Sequence, residues 1–196
     1  FNLALYKNQV LMAQIAVDDQ VKSEAAALIT QLKQMGIVPV LLSGDKKDRC
    51  LNVANQLGIT EVHAESLPEE KLKTIDIYKQ KGKTIMIGDG INDAPALTHA
   101  DVGVSMNDAS QVAIQSASVV LLNTDLHSVI KFLQISRHTL LTIKQNLFWA
   151  FAYNIIAIPV AAMGFLNPMV GALTMAFSDV VVIGNSLRLK IKKVDR

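Results

Sequence analysis

Gly88-Asp89-Gly90-Ile91-Asn92-Asp93-Ala94-Pro95-Ala96-Leu97 follows directly on the short apolar run Thr84-Ile85-Met86-Ile87. The run reads as a fully buried parallel strand. The two glycines let the chain turn sharply at its end. Asp89 and Asp93 then arrive four residues apart with the amide of Asn92 between them, and Pro95 suits the first turn of a helix. Acidic residues just past a buried parallel strand lie at the carboxyl edge of the sheet, where open α/β folds bind ligands. Hard oxygen ligands there suit Mg2+, which takes one or two carboxylates and completes its shell with water and phosphate.

Outward from this point the same alternation repeats. Val10 to Val17 reads as a strand, and Asp19, Lys22 and Glu24 open an amphipathic helix to about Met35, stopped by Gly36. Ile37 to Leu42 reads as a second buried strand ending in Ser43-Gly44-Asp45, followed by a helix from about Lys46 to Leu57 and its stop at Gly58. A short strand at Val62 precedes a helix begun by Pro68, with Glu69 and Glu70 at its positive end. Val102 to Ser105 and Val119 to Leu122 are further strands. Strands alternating with helices imply an α/β fold: a parallel sheet with helices on both faces.

The chain has 196 residues and a net charge of +2, so no strongly charged partner such as nucleic acid is implied. Hydrophobic residues make up 51% and are unevenly spread, because the chain is nearly uncharged beyond about Gln145. The single Cys50 excludes an intrachain disulfide and reads as an inert packed thiol. His63 and His99 lack metal-ligand spacing and read as surface or packed residues. The chain opens on Phe1 and reads as the C-terminal piece of something longer.

Leu126 to Gln145 has a helical pattern, and Leu147 to Leu166 is a run of 20 residues without a charge. A membrane-spanning helix needs ~20 mostly apolar residues. Asn167-Pro168 reads as a turn, and Met169 to Leu187 as a second span whose one charge is Asp179. Lys144 precedes the pair, and Arg188, Lys190, Lys192 and Lys193 follow it, which puts both outer ends on the cytosolic side. On the second span Met175, Ser178 and Asp179 fall at i, i+3 and i+4, on one helical face. A thioether is a soft ligand and favours Cu(I).

The ten-residue run resembles the hinge motif of P-type ATPases, within a haloacid dehalogenase-like phosphorylation domain. Ser43-Gly44-Asp45 is similar to the second phosphate-binding motif of that fold, with Lys46 where pumps carry Asn. Pro68-Glu69-Glu70-Lys71 resembles the next motif, whose lysine neutralises the phosphoryl group. Asp19 with Lys22 resembles the junction to the nucleotide-binding domain. Gln145-Asn146-Leu147-Phe148-Trp149-Ala150 with Tyr153-Asn154 and Pro159 resembles the seventh membrane helix of the heavy-metal (type IB) pumps, copper branch. Met175-Ala176-Phe177-Ser178 with Asn185-Ser186-Leu187-Arg188-Leu189 resembles the eighth. Two departures stand out. Asp179 replaces the second serine of the copper branch, and Val104-Ser105-Met106-Asn107-Asp108 replaces a glycine-rich turn and implies a reshaped surface loop.

The resemblance implies a division into a partial phosphorylation domain (1–124), a connecting helix (125–145), two transmembrane helices (146–166 and 169–187) around a short outer loop (167–168), and a cytosolic basic tail (188–196). It implies part of an ATP-driven pump exporting a soft metal ion, Cu(I) in first place, through an aspartyl phosphate whose aspartate lies outside this chain. Asp89 and Asp93 are then expected to hold Mg2+, with Ser43, Gly44, Asp45, Lys71 and Asn92 acting at the phosphoryl group. Tyr153, Asn154, Met175, Ser178 and Asp179 are expected along the metal path, and the helix 126–145 is expected to act as a lever. The implied partners are the rest of the pump, the lipid bilayer and a metallochaperone; the implied place is the plasma membrane, with the phosphorylation domain cytosolic. Alternatives are the same pump carrying Zn2+, Cd2+ or Co2+, a membrane-anchored phosphatase of the same fold, and a non-catalytic chain that binds or regulates a pump.

Overall fold

The computed structural model describes residues 2–16, 20–165 and 167–191. These divide into two units, residues 1–128 and 129–196. The first unit opens with an antiparallel hairpin, β1 (Asn2–Lys7) and β2 (Val10–Ala16), turned at Asn8 and Gln9, both with positive φ. It continues through α1 (Ala25–Gln34), β3 (Val40–Leu42), α2 (Lys47–Leu57), β4 (Glu61–His63), α3 (Pro68–Lys81) and β5 (Ile85–Ile87). A single 3-10 turn (Ile91–Asp93), α4 (Ala94–His99), β6 (Val102–Met106), α5 (Gln111–Ser116) and β7 (Val119–Leu121) complete it. All strand pairing after the hairpin is parallel, as the alternation requires: β3 with β4, and β5-β6-β7 in that order.

Several elements differ from the sequence expectation. The second strand begins at Val40 because Pro39 has no N–H to give a ladder, and Val38 is exposed. α1 starts at Ala25, so Lys22 and Glu24 precede it, and Asp19 lies outside the described residues. The strand before the motif is not fully buried. Among the described residues β5 pairs with β6 alone, and Ile85 and Ile87 are 41% and 39% exposed. Full burial belongs to β6, which has a neighbour on each side and holds Val104 and Ser105 at 0% exposure. α4 packs on β6 so closely that a Cβ on Gly103 would sit 2.2 Å from the Leu97 carbonyl oxygen; glycine is required there. Cys50 is buried against the loop after β3, its Sγ 3.6 Å from the Asp45 carbonyl.

The second unit holds two long helices. α6 (His127–Ala162), whose first two residues still belong to the first unit, joins the expected lever to the first apolar run and ends at Ala162, before that run does. α7 spans Pro168–Ile191. The turn between them is centred on Gly164 (φ +76°), and Asn167-Pro168 starts α7 instead of forming the turn. Asn167 Oδ1 accepts from the Met169 amide at 2.9 Å, and Pro168 occupies a position where no N–H is needed. Both helices are long and apolar enough to cross a membrane, and no residue of their most apolar windows is buried within the protein. Lys192 and Lys193 lie outside the described residues.

Candidate functional site

The motif is held at the carboxyl end of β5. The Gly88 amide donates to the Val104 carbonyl at 3.1 Å, and the Ser110 amide to the Asp89 carbonyl at 2.9 Å. The 3-10 turn then brings Asp93 back under both glycines. A Cβ on Gly88 would lie 2.8 Å from the Asp93 Cβ, and the Gly90 amide donates to Asp93 Oδ2 at 3.3 Å. The other Asp93 oxygen accepts from Lys71 Nζ at 2.6 Å. Lys71 is 7% exposed, whereas its neighbour Lys73 points to solvent, so burial separates two lysines that the sequence leaves equivalent. A buried ammonium requires such a partner.

Both Asp93 oxygens thus accept hydrogen bonds from within the protein. Asp89 differs: its carboxylate is exposed and makes no hydrogen bond among the described residues. Asn92 is exposed beside it. The donor set therefore fits Mg2+ through Asp89 first, a single carboxylate sufficing when phosphate and water complete the shell. Among the described residues no group of three His, Cys, Asp or Glu side chains gathers elsewhere to hold a metal.

Ser43, Gly44 and Asp45 form a second cluster, at the carboxyl end of β3. The Ser43 amide donates to the His63 carbonyl (2.9 Å), the Ser66 amide to the Ser43 carbonyl (3.0 Å), and the Glu65 amide to the Asp45 carbonyl (2.9 Å). The Ser43 hydroxyl accepts from the Asp45 amide at 3.1 Å, which leaves its proton available to an anionic oxygen. The loop laced to it runs within two residues into α3, so the Ser43 turn and Lys71 are positioned by one continuous segment. No hydrogen bond links the Ser43 turn to Asp89 or Asp93 among the described residues. His63 pairs with the Tyr78 hydroxyl (3.1 Å), which also bonds Glu61, and His99 pairs with Asp76 (2.7 Å). Burial first, and then the Glu61 carboxylate, push the Tyr78 hydroxyl above its usual pKa.

A clamp below the motif carries no sequence signature. Asp101 accepts from the Thr84 amide (2.9 Å), the Thr84 hydroxyl (3.1 Å) and Lys83 Nζ (2.9 Å), fixing the entry to β5. The Thr84 amide, then the Lys83 ammonium, lower its pKa from 3.8 to about 2.

In the second unit the candidate metal-path residues divide. The Tyr153 hydroxyl on α6 donates to the Gly171 carbonyl on α7 at 3.1 Å and lies 3.1 Å from Thr174 Oγ1. Ser178 is half-buried, whereas Met175 (62% exposed) and Asp179 lie on the open flank. The three differ in exposure, Ser178 being the least exposed of them. Asn154 bonds the Ala150 carbonyl of its own helix at 3.0 Å. Asp179 has no hydrogen-bond partner among the described residues.

Comparison with known proteins places this geometry. Two models of haloacid dehalogenase-like hydrolases match residues 3–101 and 71–133. Copper-exporting P-type ATPases of Staphylococcus aureus, strains MRSA252 and JH9, are each 46% identical over 96% of this chain. The chain spans 24% of the length of these curated relatives. A zinc-transporting PIB-type ATPase in the E2.Pi state superposes with a TM-score of 0.87 at 31% identity, over 95% of this chain and 31% of that one. The catalytic domain of the CPx-ATPase CopB-B matches at a TM-score of 0.57 and 32% identity, over 66% of this chain and 52% of that one.

Proposed function

From the premise that this chain belongs to the haloacid dehalogenase-like hydrolase family, we propose that it forms part of an ATP-driven pump that exports a soft heavy-metal ion, Cu(I). The observation that carries the reading is the buried Lys71–Asp93 pair beside the unpaired carboxylate of Asp89. It puts a cation and a hard anionic ligand at one sheet edge, the pairing that phosphoryl transfer from ATP needs. The copper-exporting relatives, at 46% identity through the motif and both apolar helices, favour Cu(I) over the zinc carried by the structural neighbour.

In this reading the γ-phosphoryl group of ATP passes to an aspartate supplied from outside the chain. Asp89 holds Mg2+, which offsets charge on the transferred group. Lys71 neutralises phosphoryl oxygens while Asp93 keeps its ammonium in place, and Asn92 lies at the rim. The Ser43 hydroxyl and the Gly44 amide donate to the same oxygens, with Asp45 fixing the Ser43 rotamer through its amide. Tyr153, Asn154, Met175, Ser178 and Asp179 line the path of the metal, and the unbroken α6 is the lever. A carboxylate at mid-membrane costs ~2.5–3.5 kcal/mol on insertion scales, so Asp179 finds a partner in the assembled pump. The plasma membrane, a cytosolic first unit and a metallochaperone donor complete the proposal.

The test is phosphorylation of the full-length protein from radiolabelled ATP. A hydroxylamine-sensitive acyl phosphate is expected, abolished by Asp89→Asn and by Lys71→Ala. A label that survives Asp89→Asn, or never forms, contradicts the proposal.

A further inference from the structure

Two sets of side-chain hydrogen bonds tie α6 to α7, one at Asn146 and one at the proposed metal-path residue Tyr153. At one end Asn185 Nδ2 donates to Asn146 Oδ1 at 2.9 Å and to Gln145 Oε1 at 3.2 Å, while Asn146 Nδ2 donates to Ser186 Oγ at 2.9 Å. Ser186 passes its own proton to the Val182 carbonyl at 2.9 Å. At the other end stands the Tyr153 contact with Gly171 and Thr174. The ends are seven residues apart on α6, about 10 Å at the helical rise. Tyr153 and Ser178 are both half-buried.

We propose that the cluster of Asn146, Asn185 and Ser186 sets the axial register of α6 on α7, and so holds Tyr153 at the level of Gly171 and Thr174, one residue before Met175. Apolar helices in lipid have no hydrophobic drive to choose one register over its neighbours. Van der Waals packing of small residues such as Ala150, Gly171 and Ser178 tolerates a slip. A hydrogen-bonded cluster resists it, because a slip of one turn breaks all three of these interhelical hydrogen bonds at once. One buried asparagine pair fixes register in coiled coils by the same physics. Asn146 and Asn185 are positioning residues here: neither is placed on the metal. The consequence for metal affinity rests on the pump reading; the register itself does not.

The full chain in lipid nanodiscs tests the register. Carrying Cys50→Ala with Tyr153→Cys and Thr174→Cys, it reports alignment at the far end by oxidative cross-linking. We expect efficient cross-linking, and a fall of about fivefold with Asn185→Leu. An unchanged yield with Asn185→Leu overturns the register. In the full-length protein, Asn185→Leu, which removes the bonds to both Asn146 and Gln145, is expected to raise the Cu(I) concentration for half-maximal ATP hydrolysis about tenfold. Phosphorylation by inorganic phosphate without metal should stay unchanged. A shift in both, or in neither, overturns the link to the metal ligands. Absence of metal-stimulated hydrolysis in the unmodified protein counts against the pump reading alone, since cross-linking still decides the register.

Discussion

Lys71 and Asp93 show what a single pair does in this fold. Both side chains are largely buried, so removing one partner leaves the other charged and unsolvated. Lys71→Ala should destabilise the chain by about 3 kcal/mol, and the same change in an Asp93→Asn background by clearly less; urea melts in lipid-like detergent would read the coupling. Asp101 gives the pH dependence. Its folded pKa is depressed to about 2 against 3.8, so the charged form is favoured by folding. Its contribution is full above about pH 4 and disappears as pH falls through about 2. Asp101→Asn should therefore melt earlier than the unmodified chain at pH 7, with the gap closing toward pH 2. These pairs were unevenly legible. Lys71 stands in a motif, but Lys73 is as good a lysine on paper, and only burial separates them. Asp101 is seventeen residues from Thr84, and no local pattern joins them.

Elements place these residues, and α3 does so most directly. Glu70 Oε2 accepts from the Leu67 amide at 2.9 Å, closing the first turn just where the Ser43-linked loop becomes the helix that carries Lys71. Glu70→Ala should cost about 1 kcal/mol of stability and lower phosphorylation by ATP more than it lowers nucleotide binding, because it loosens the segment that positions Lys71. The start of α3 was legible because Pro68, Glu69 and Glu70 each favour a helix N-terminus for a separate reason. The exposure of β5 was not. Thr84 to Ile87 reads as buried whatever lies beside it, since periodicity reports composition and not neighbours. The start of α7 was legible to within one residue, although Asn167-Pro168 suits both a turn and a helix N-terminus.

At the scale of the molecule, the later parallel strands and the two apolar helices were legible because each is written in local pattern: period, glycine stops and absence of charge; the antiparallel pairing of Val10–Ala16 with Asn2–Lys7 was not. What was hidden is relational. It includes the different exposures of Met175, Ser178 and Asp179, and the amide pair that joins residues 39 apart. In the proposed pump this chain helps move Cu(I), with the Met175 thioether on the path. ATP-driven uptake into inside-out vesicles carrying the full-length protein tests this, with Cu(I) and Zn2+ supplied separately and Met175→Ala alongside. Cu(I) uptake that Met175→Ala abolishes, with no Zn2+ uptake, is expected. Uptake of Zn2+ but not Cu(I), or Cu(I) uptake undiminished in Met175→Ala, would contradict it.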